Sequence, residues 1–180
     1  MRFTRWGSRS VTPPEVHELL WPLEGLLGKW QGTGAGRYPI IDEFEFDEEI
    51  RFWHFGKPVL AYRSRSWCAG TKEALHDEMG FWRVQGDGSI EVVLAHSTGL
   101  AEVMHGEVDG DQVSLVSVEY SKTPTGTAVD QQERVISLRG DLLSYEMSMS
   151  FEGHPLQNHL RATLHRTERL ARIAINHGAD

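Results

Sequence analysis

From Phe44 onward the chain keeps a period of two along most of its length. Phe44, Phe46, Ile50 and Phe52 alternate with Glu43, Glu45, Asp47, Glu49 and Arg51. Alternation at this period produces a strand with one apolar and one polar face. Comparable runs recur at 58–67, 79–84, 90–95, 100–108, 112–120, 132–138, 142–151 and 156–165. Turn-forming residues fill most gaps, among them Gly56-Lys57-Pro58, Ser97-Thr98-Gly99, Gly110-Asp111 and Gly140-Asp141. A glycine-rich run ahead of Phe44 brings the total to about ten strands. Short turns without long intervening helices imply antiparallel hairpins. The pattern therefore predicts an all-β fold, an antiparallel up-and-down β-barrel of about ten strands. Closure removes the sheet edges and encloses one ligand-sized cavity.

The two ends read differently. Thr12 to Glu15 has the form of a capping box with Pro13 at the first helical position. Val16, Leu19, Leu20 and Leu23 follow at helical spacing, interrupted by Pro22 and ended by Gly25. At the other end, Leu170 and Ile173 among Arg166, Arg169 and Arg172 predict a short basic helix over 166–176. The expected organisation is a disordered arm over 1–11, one barrel domain over 12–166 and a C-terminal tail over 167–180. The arm lacks the apolar stretch of a secretory signal.

Charge and cysteine usage exclude several classes. The chain has 26 acidic against 18 basic residues and no basic run, which argues against a nucleic-acid partner and against adhesion to an anionic membrane. No apolar run approaches the ~18 residues of a membrane span. A single cysteine, Cys68, precludes an intramolecular disulfide and fits a reducing compartment.

The run ahead of Phe44 is unusual. In Gly28-Lys29-Trp30-Gln31-Gly32-Thr33-Gly34-Ala35-Gly36-Arg37-Tyr38-Pro39, glycines share one strand face with Trp30. Glycine inside a strand marks a bulge, a bend or a close backbone approach. A face bared by Gly28, Gly32, Gly34 and Gly36 admits a flat cofactor or a neighbouring chain; a tightly curled strand that closes the barrel accounts for it equally.

Nine histidines invite a metal reading. His17 falls on the polar part of the first helix, His177 in the tail, and His54 and His154 beside turns. No H-E-x-x-H or cysteine cluster is present, so the spacing predicts no structural zinc site. His159 differs. If 142–151 and 156–165 pair about a turn near His154, Met149 and His159 face each other on one side. The apolar set Leu160, Ala162 and Leu164 places His159 on the opposite, more polar face. A bulge or a polar pocket turns it inward; simple exposure leaves it outward.

Several blocks in order resemble the nitrobindin family. Gly28-x-Trp30-x-Gly32-x-Gly34 with Tyr38-Pro39 matches its glycine-rich signature, and Phe44-x-Phe46-x-Glu48-Glu49 with His54-Phe55-Gly56-Lys57-Pro58 matches the next blocks. Leu75-His76-x-Glu78-x-Gly80-Phe81, Leu94-Ala95-His96-Ser97-Thr98-Gly99 and Pro155-Leu156-x-x-His159-Leu160 complete the resemblance, which spans about 23–166. It implies a fatty-acid-binding-protein-like barrel holding one haem b per chain, with His159 as axial iron ligand and catalytic centre. It implies that Ile40, Leu75, His76, His96 and Met149 line or border the haem cavity. It further implies a cytoplasmic peroxynitrite isomerase whose ferric haem also binds nitric oxide, and a homodimer. Two positions depart from the pattern. Ile40 replaces a threonine, and Thr127 stands where a lysine meets a haem propionate; Arg37, Lys122 and Arg134 are candidate substitutes. The alternative function is an intracellular carrier of a fatty acid or other apolar ligand. Such carriers use an internal cation, for which Arg63, Arg65 and Arg134 are candidates.

Overall fold

The alternation closes on itself. The computed structural model describes residues 14–169, a 3₁₀ helix followed by ten antiparallel strands. The strands are β1 (Gly28–Tyr38), β2 (Ile41–His54), β3 (Val59–Cys68), β4 (Ala74–Val84), β5 (Ser89–His96), β6 (Leu100–Asp109), β7 (Gln112–Lys122), β8 (Gln131–Arg139), β9 (Leu142–Phe151) and β10 (His154–Glu168). Each pairs with its sequence neighbours, and β1 pairs with β10 to complete the barrel. Two-residue turns join β6 to β7 and β8 to β9. Their glycines, Gly110 and Gly140, take φ of 56° and 62°, where a Cβ would be strained.

The barrel has a closed and an open end. At the closed end, Leu20, Leu23 and Leu26 of the helix insert against Trp30, Phe52, Trp82, Ile90 and Leu164. The three leucines are at most 2 % exposed, and each such burial is worth roughly 1.5–3 kcal/mol. Trp30 Nε1 donates to Leu26 O at 2.7 Å, and the Arg166 guanidinium lies 4.0 Å over the Trp30 ring while bonding Gly25 O and Leu27 O. These contacts tie the helix to the β1/β10 seam. The other end carries the β1–β2, β3–β4, β5–β6, β7–β8 and β9–β10 connections, with no helix over it among the described residues.

Four expectations need correction. The N-terminal helix is 3₁₀, spans Glu18–Leu26 and is capped by His17, whose ring accepts from Leu19 N. Thr12 and Pro13 lie outside the described residues, and residues 14–17 are not helical. Pro22 removes one amide donor, which suits the tighter turn. The expected C-terminal helix does not begin at Arg166: β10 continues to Glu168, held by Lys29 of β1, and the rest of 167–180 beyond Arg169 lies outside the described residues, as does the arm over 1–11. The fourth strand begins at Ala74, five residues before the apolar alternation starts, because its inward positions there are His76 and Glu78 rather than apolar groups. Finally, Met149 pairs with Gln157, not His159.

Candidate functional site

The register between β9 and β10 shifts between Asn158 and Leu160. His159 is the extra residue of that β-bulge, and the bulge frees its side chain from strict alternation. Its ring lies against two inward-facing aromatics at the open end, 5.4 Å from Tyr38 and 6.4 Å from Phe44 between centroids. Nδ1 is 3.0 Å from Arg37 O. A carbonyl only accepts, so Nδ1 carries the hydrogen and Nε2 holds the lone pair. Nε2 has no hydrogen-bond partner among the described residues. Burial lowers the imidazole pKa and outweighs the opposing bond to Arg37 O, so the ring is neutral at pH 7. A neutral, oriented imidazole with a free nitrogen is what an axial iron ligand requires.

A buried polar belt separates this mouth from the apolar base. Glu78 accepts from Arg134 through both oxygens, at 2.5 and 3.0 Å, and from Tyr62 Oη at 2.7 Å. Burial opposes its ionisation, but Arg134 and the His76 and His96 bonds prevail and hold it ionised well below the ordinary range. His96 stands between two carboxylates, Nδ1 3.1 Å from Glu78 Oε2 and Nε2 3.3 Å from Glu102 Oε2. Burial disfavours its charge, yet these carboxylates outweigh burial and raise its pKa to about 9. His76 Nε2 lies 3.2 Å from His96 Nδ1. Glu48 accepts from Ser64 Oγ at 2.6 Å and Tyr145 Oη at 2.9 Å. Desolvation dominates there and pushes its pKa up to about 7, so Glu48 is largely protonated in weak acid. Its neighbour Glu49 points outward to Lys29, Arg51, Arg65 and Gln31, whose bonds overcome desolvation and bring its pKa down to about 2.

The candidate residues occupy one end of the barrel. His76 is half-buried and His96 and Met149 are buried, whereas Ile40 and Leu75 stand on the rim, 51 % and 45 % exposed. The glycine face is not bare. A Cβ on Gly34 would lie 2.2 Å from the Phe46 ring and one on Gly36 2.3 Å from the Phe44 ring, while one on Gly32 would meet Thr163 O of β10 at 2.1 Å. Gly28, at φ 128°, is crowded by Glu168 O. The glycines admit two phenylalanine rings and a close strand approach. A groove of about 680 Å³ exists, but outward residues such as Thr33, Ala35, Ser137 and Glu146 dominate its lining, so it lies on the outer wall.

The belt also bears on the carrier alternative. Arg63 and Arg65 lie on the outer wall, paired with Asp77 and Glu49. Arg134 is inside but engaged by Glu78 and Glu102. None of the three presents a free cation to a carboxylate in the lumen. Glu48, Glu78, Glu102, Tyr62 and Tyr145 are site residues the sequence reading missed. Their signal was parity: Glu48 shares its face with Phe46 and Ile50, so one member of the Glu48-Glu49 pair must turn inward.

Comparison with known proteins agrees with this architecture. The family described as THAP4-like, heme-binding beta-barrel domain matches residues 19–166. A protein of Arabidopsis thaliana named peroxynitrite isomerase is 43 % identical over 151 residues, covering 84 % of this chain and 90 % of its own. Peroxynitrite isomerase 2 of Mycobacterium avium is 40 % identical over 158 residues, covering 86 % and 98 %. The crystal structure of Rv2717c from M. tuberculosis superposes with a TM-score of 0.79 at 39 % identity, over 85 % of this chain and 99 % of that one. The chain belongs to the THAP4-like, haem-binding β-barrel domain family.

Proposed function

We propose that the chain is a haem-dependent peroxynitrite isomerase that also binds nitric oxide, holding one haem b at the open end of the barrel through His159 Nε2. The observation that carries this reading is the bulged His159, neutral, with Nδ1–H fixed on Arg37 O and Nε2 free. The names of the relatives from Arabidopsis thaliana and Mycobacterium avium support the reaction. When bound, the haem iron supplies a Lewis-acid centre for an anionic oxidant.

The residues of the chain do the rest. The Arg37 carbonyl holds the imidazole proton, fixing the ring and raising the basicity of Nε2. Tyr38 and Phe44 pack against the ring edge-on and keep it from turning. Buried Met149 would add an apolar wall that excludes water, and the exposed rim residues Ile40 and Leu75 would offer apolar contact to a porphyrin. Exposed Arg37 is the cation we assign to a propionate in place of the lysine absent at Thr127, since Arg134 is committed to Glu78. His76, backed by His96 and Glu102, offers hydrogen-bond donation to an anion in the mouth.

The lone cysteine suits action in the cytoplasm. Association with a second copy is supported by outward-facing Met79, Phe81 and Val93, about half exposed and adjacent across β4 and β5.

The test of the reaction is stopped-flow decay of peroxynitrite with nitrate analysis, wild type beside His159→Ala, both given hemin. The reading expects faster decay and a higher nitrate fraction with wild type, and decay no faster than with free hemin for the variant. Equal decay in the two proteins contradicts it.

A further inference from the structure

Three donor atoms in the belt form a nearly regular triangle. His76 Nε2 and His96 Nδ1 are 3.2 Å apart, His96 Nδ1 and Glu78 Oε2 3.1 Å, and His76 Nε2 and Glu78 Oε2 3.5 Å. Tetrahedral ligands at 2.0–2.1 Å from a zinc ion are separated by about 3.3–3.4 Å, so the triangle has the dimensions of one face of such a site. Sequence spacing hides it. His76 and Glu78 lie two apart on the inward face of β4, and His96 is the register partner of Glu78 on β5.

Outer partners are also in place. The far nitrogen of His96 faces Glu102, which is fully buried and accepts from Ser117 Oγ at 2.5 Å. A carboxylate behind a ligating histidine fixes its tautomer and orientation. Tyr62 and Arg134 Nη1 hold the other oxygen of Glu78, and Arg134 Nη2 also donates to Oε2 at 3.0 Å, leaving that oxygen a further lone pair for a cation. Glu78 and Glu102 against Arg134 leave one unbalanced negative charge; a proton on His96 balances it, and a divalent cation in place of that proton more than offsets it, leaving the site one positive charge. The His96 and Glu78 side chains are 3 % and 6 % exposed, while that of His76 is 35 % exposed. A fourth coordination position therefore opens on the His76 side, toward the mouth.

We infer that His76, Glu78 and His96 form a second metal site, separate from His159, that takes a divalent transition cation of the zinc class with one exchangeable position. The inference does not rest on haem binding. Its test is titration of the full 180-residue chain, free of added hemin, with Co²⁺, read by the visible absorption of tetrahedral Co²⁺ and then by displacement with Zn²⁺. Wild type and His159→Ala are expected to give the same saturable band at one Co²⁺ per chain, bleached by Zn²⁺. His76→Ala and His96→Gln are expected to weaken binding more than about 100-fold, and Glu102→Gln about 10- to 100-fold. Half-exposed His76 is the variant least able to disturb the fold, and circular dichroism checks that all variants remain folded. No tetrahedral band in wild type, wild-type affinity in folded His76→Ala, or loss of the band in His159→Ala each overturns the inference. A hemin Soret band without Co²⁺ binding refutes this site alone; Co²⁺ binding without a Soret band refutes the haem reading alone.

Discussion

Replacing Glu48 by glutamine isolates the effect of a buried acid on folding. Glu48 lies in the lumen with only Ser64 and Tyr145 on its oxygens, and desolvation pushes its pKa up to about 7 from the ordinary 4.5. The unfolded chain ionises Glu48 at lower pH than the folded one, so the stability Glu48 contributes is intact below its unfolded pKa. It is lost progressively as pH rises through about 7. Between about pH 5 and pH 8 the loss from this group is about 2–3 kcal/mol, from the two pKa values. Glutamine matches the neutral form in size and keeps both hydroxyl partners, and it cannot ionise. Urea unfolding of wild type and Glu48→Gln at the two pH values cancels every other titrating group in the difference. The variant is expected to gain about 2–3 kcal/mol on wild type over that range. An equal pH dependence in the two proteins refutes the placement of Glu48 as a desolvated, protonated acid.

Other perturbations test the barrel itself. Gly32→Ala directs a Cβ to within 2.1 Å of Thr163 O, and it is expected to cost about 1–3 kcal/mol or more as β1 and β10 are forced apart. Gly70→Ala, with nothing within 4 Å, is the control and should fall within about 0.5 kcal/mol of wild type in the same urea assay. Arg134→Met strands the Glu78 carboxylate in the lumen and should lower stability by about 3–5 kcal/mol. Adding Glu78→Gln to it should recover part of that loss in a double-mutant cycle, and strict additivity contradicts the pairing.

The fold was legible because its signal repeats. Nine alternating runs and one glycine-rich run, with turn residues between most of them, leave few topologies open, and the closed barrel is the one that leaves no edge. What the sequence concealed lies where alternation is broken for a reason. His76 and Glu78 put polar groups on the inward face of β4, so the strand looked shorter than it is. The bulge at His159 shifts the register by one residue, which no periodicity reports, and the hairpin turns at Glu152-Gly153 ahead of His154, which moved Met149 off its expected partner. The capping box at Thr12 was locally well formed, yet Pro22 and the docking of three leucines into the barrel end select a 3₁₀ helix that starts later, at Glu18, with His17 as its cap. The glycines announced close approach correctly in kind, but only the structure identifies Phe44, Phe46 and Thr163 as what approaches.

The central claim is that His159 Nε2 is the ligand of the haem iron. The direct measurement is a titration of the chain with hemin followed by the Soret band, wild type beside His159→Ala. The account predicts a saturable band at one haem per chain, lost or shifted in the variant. No specific band, or one indifferent to the substitution, contradicts it.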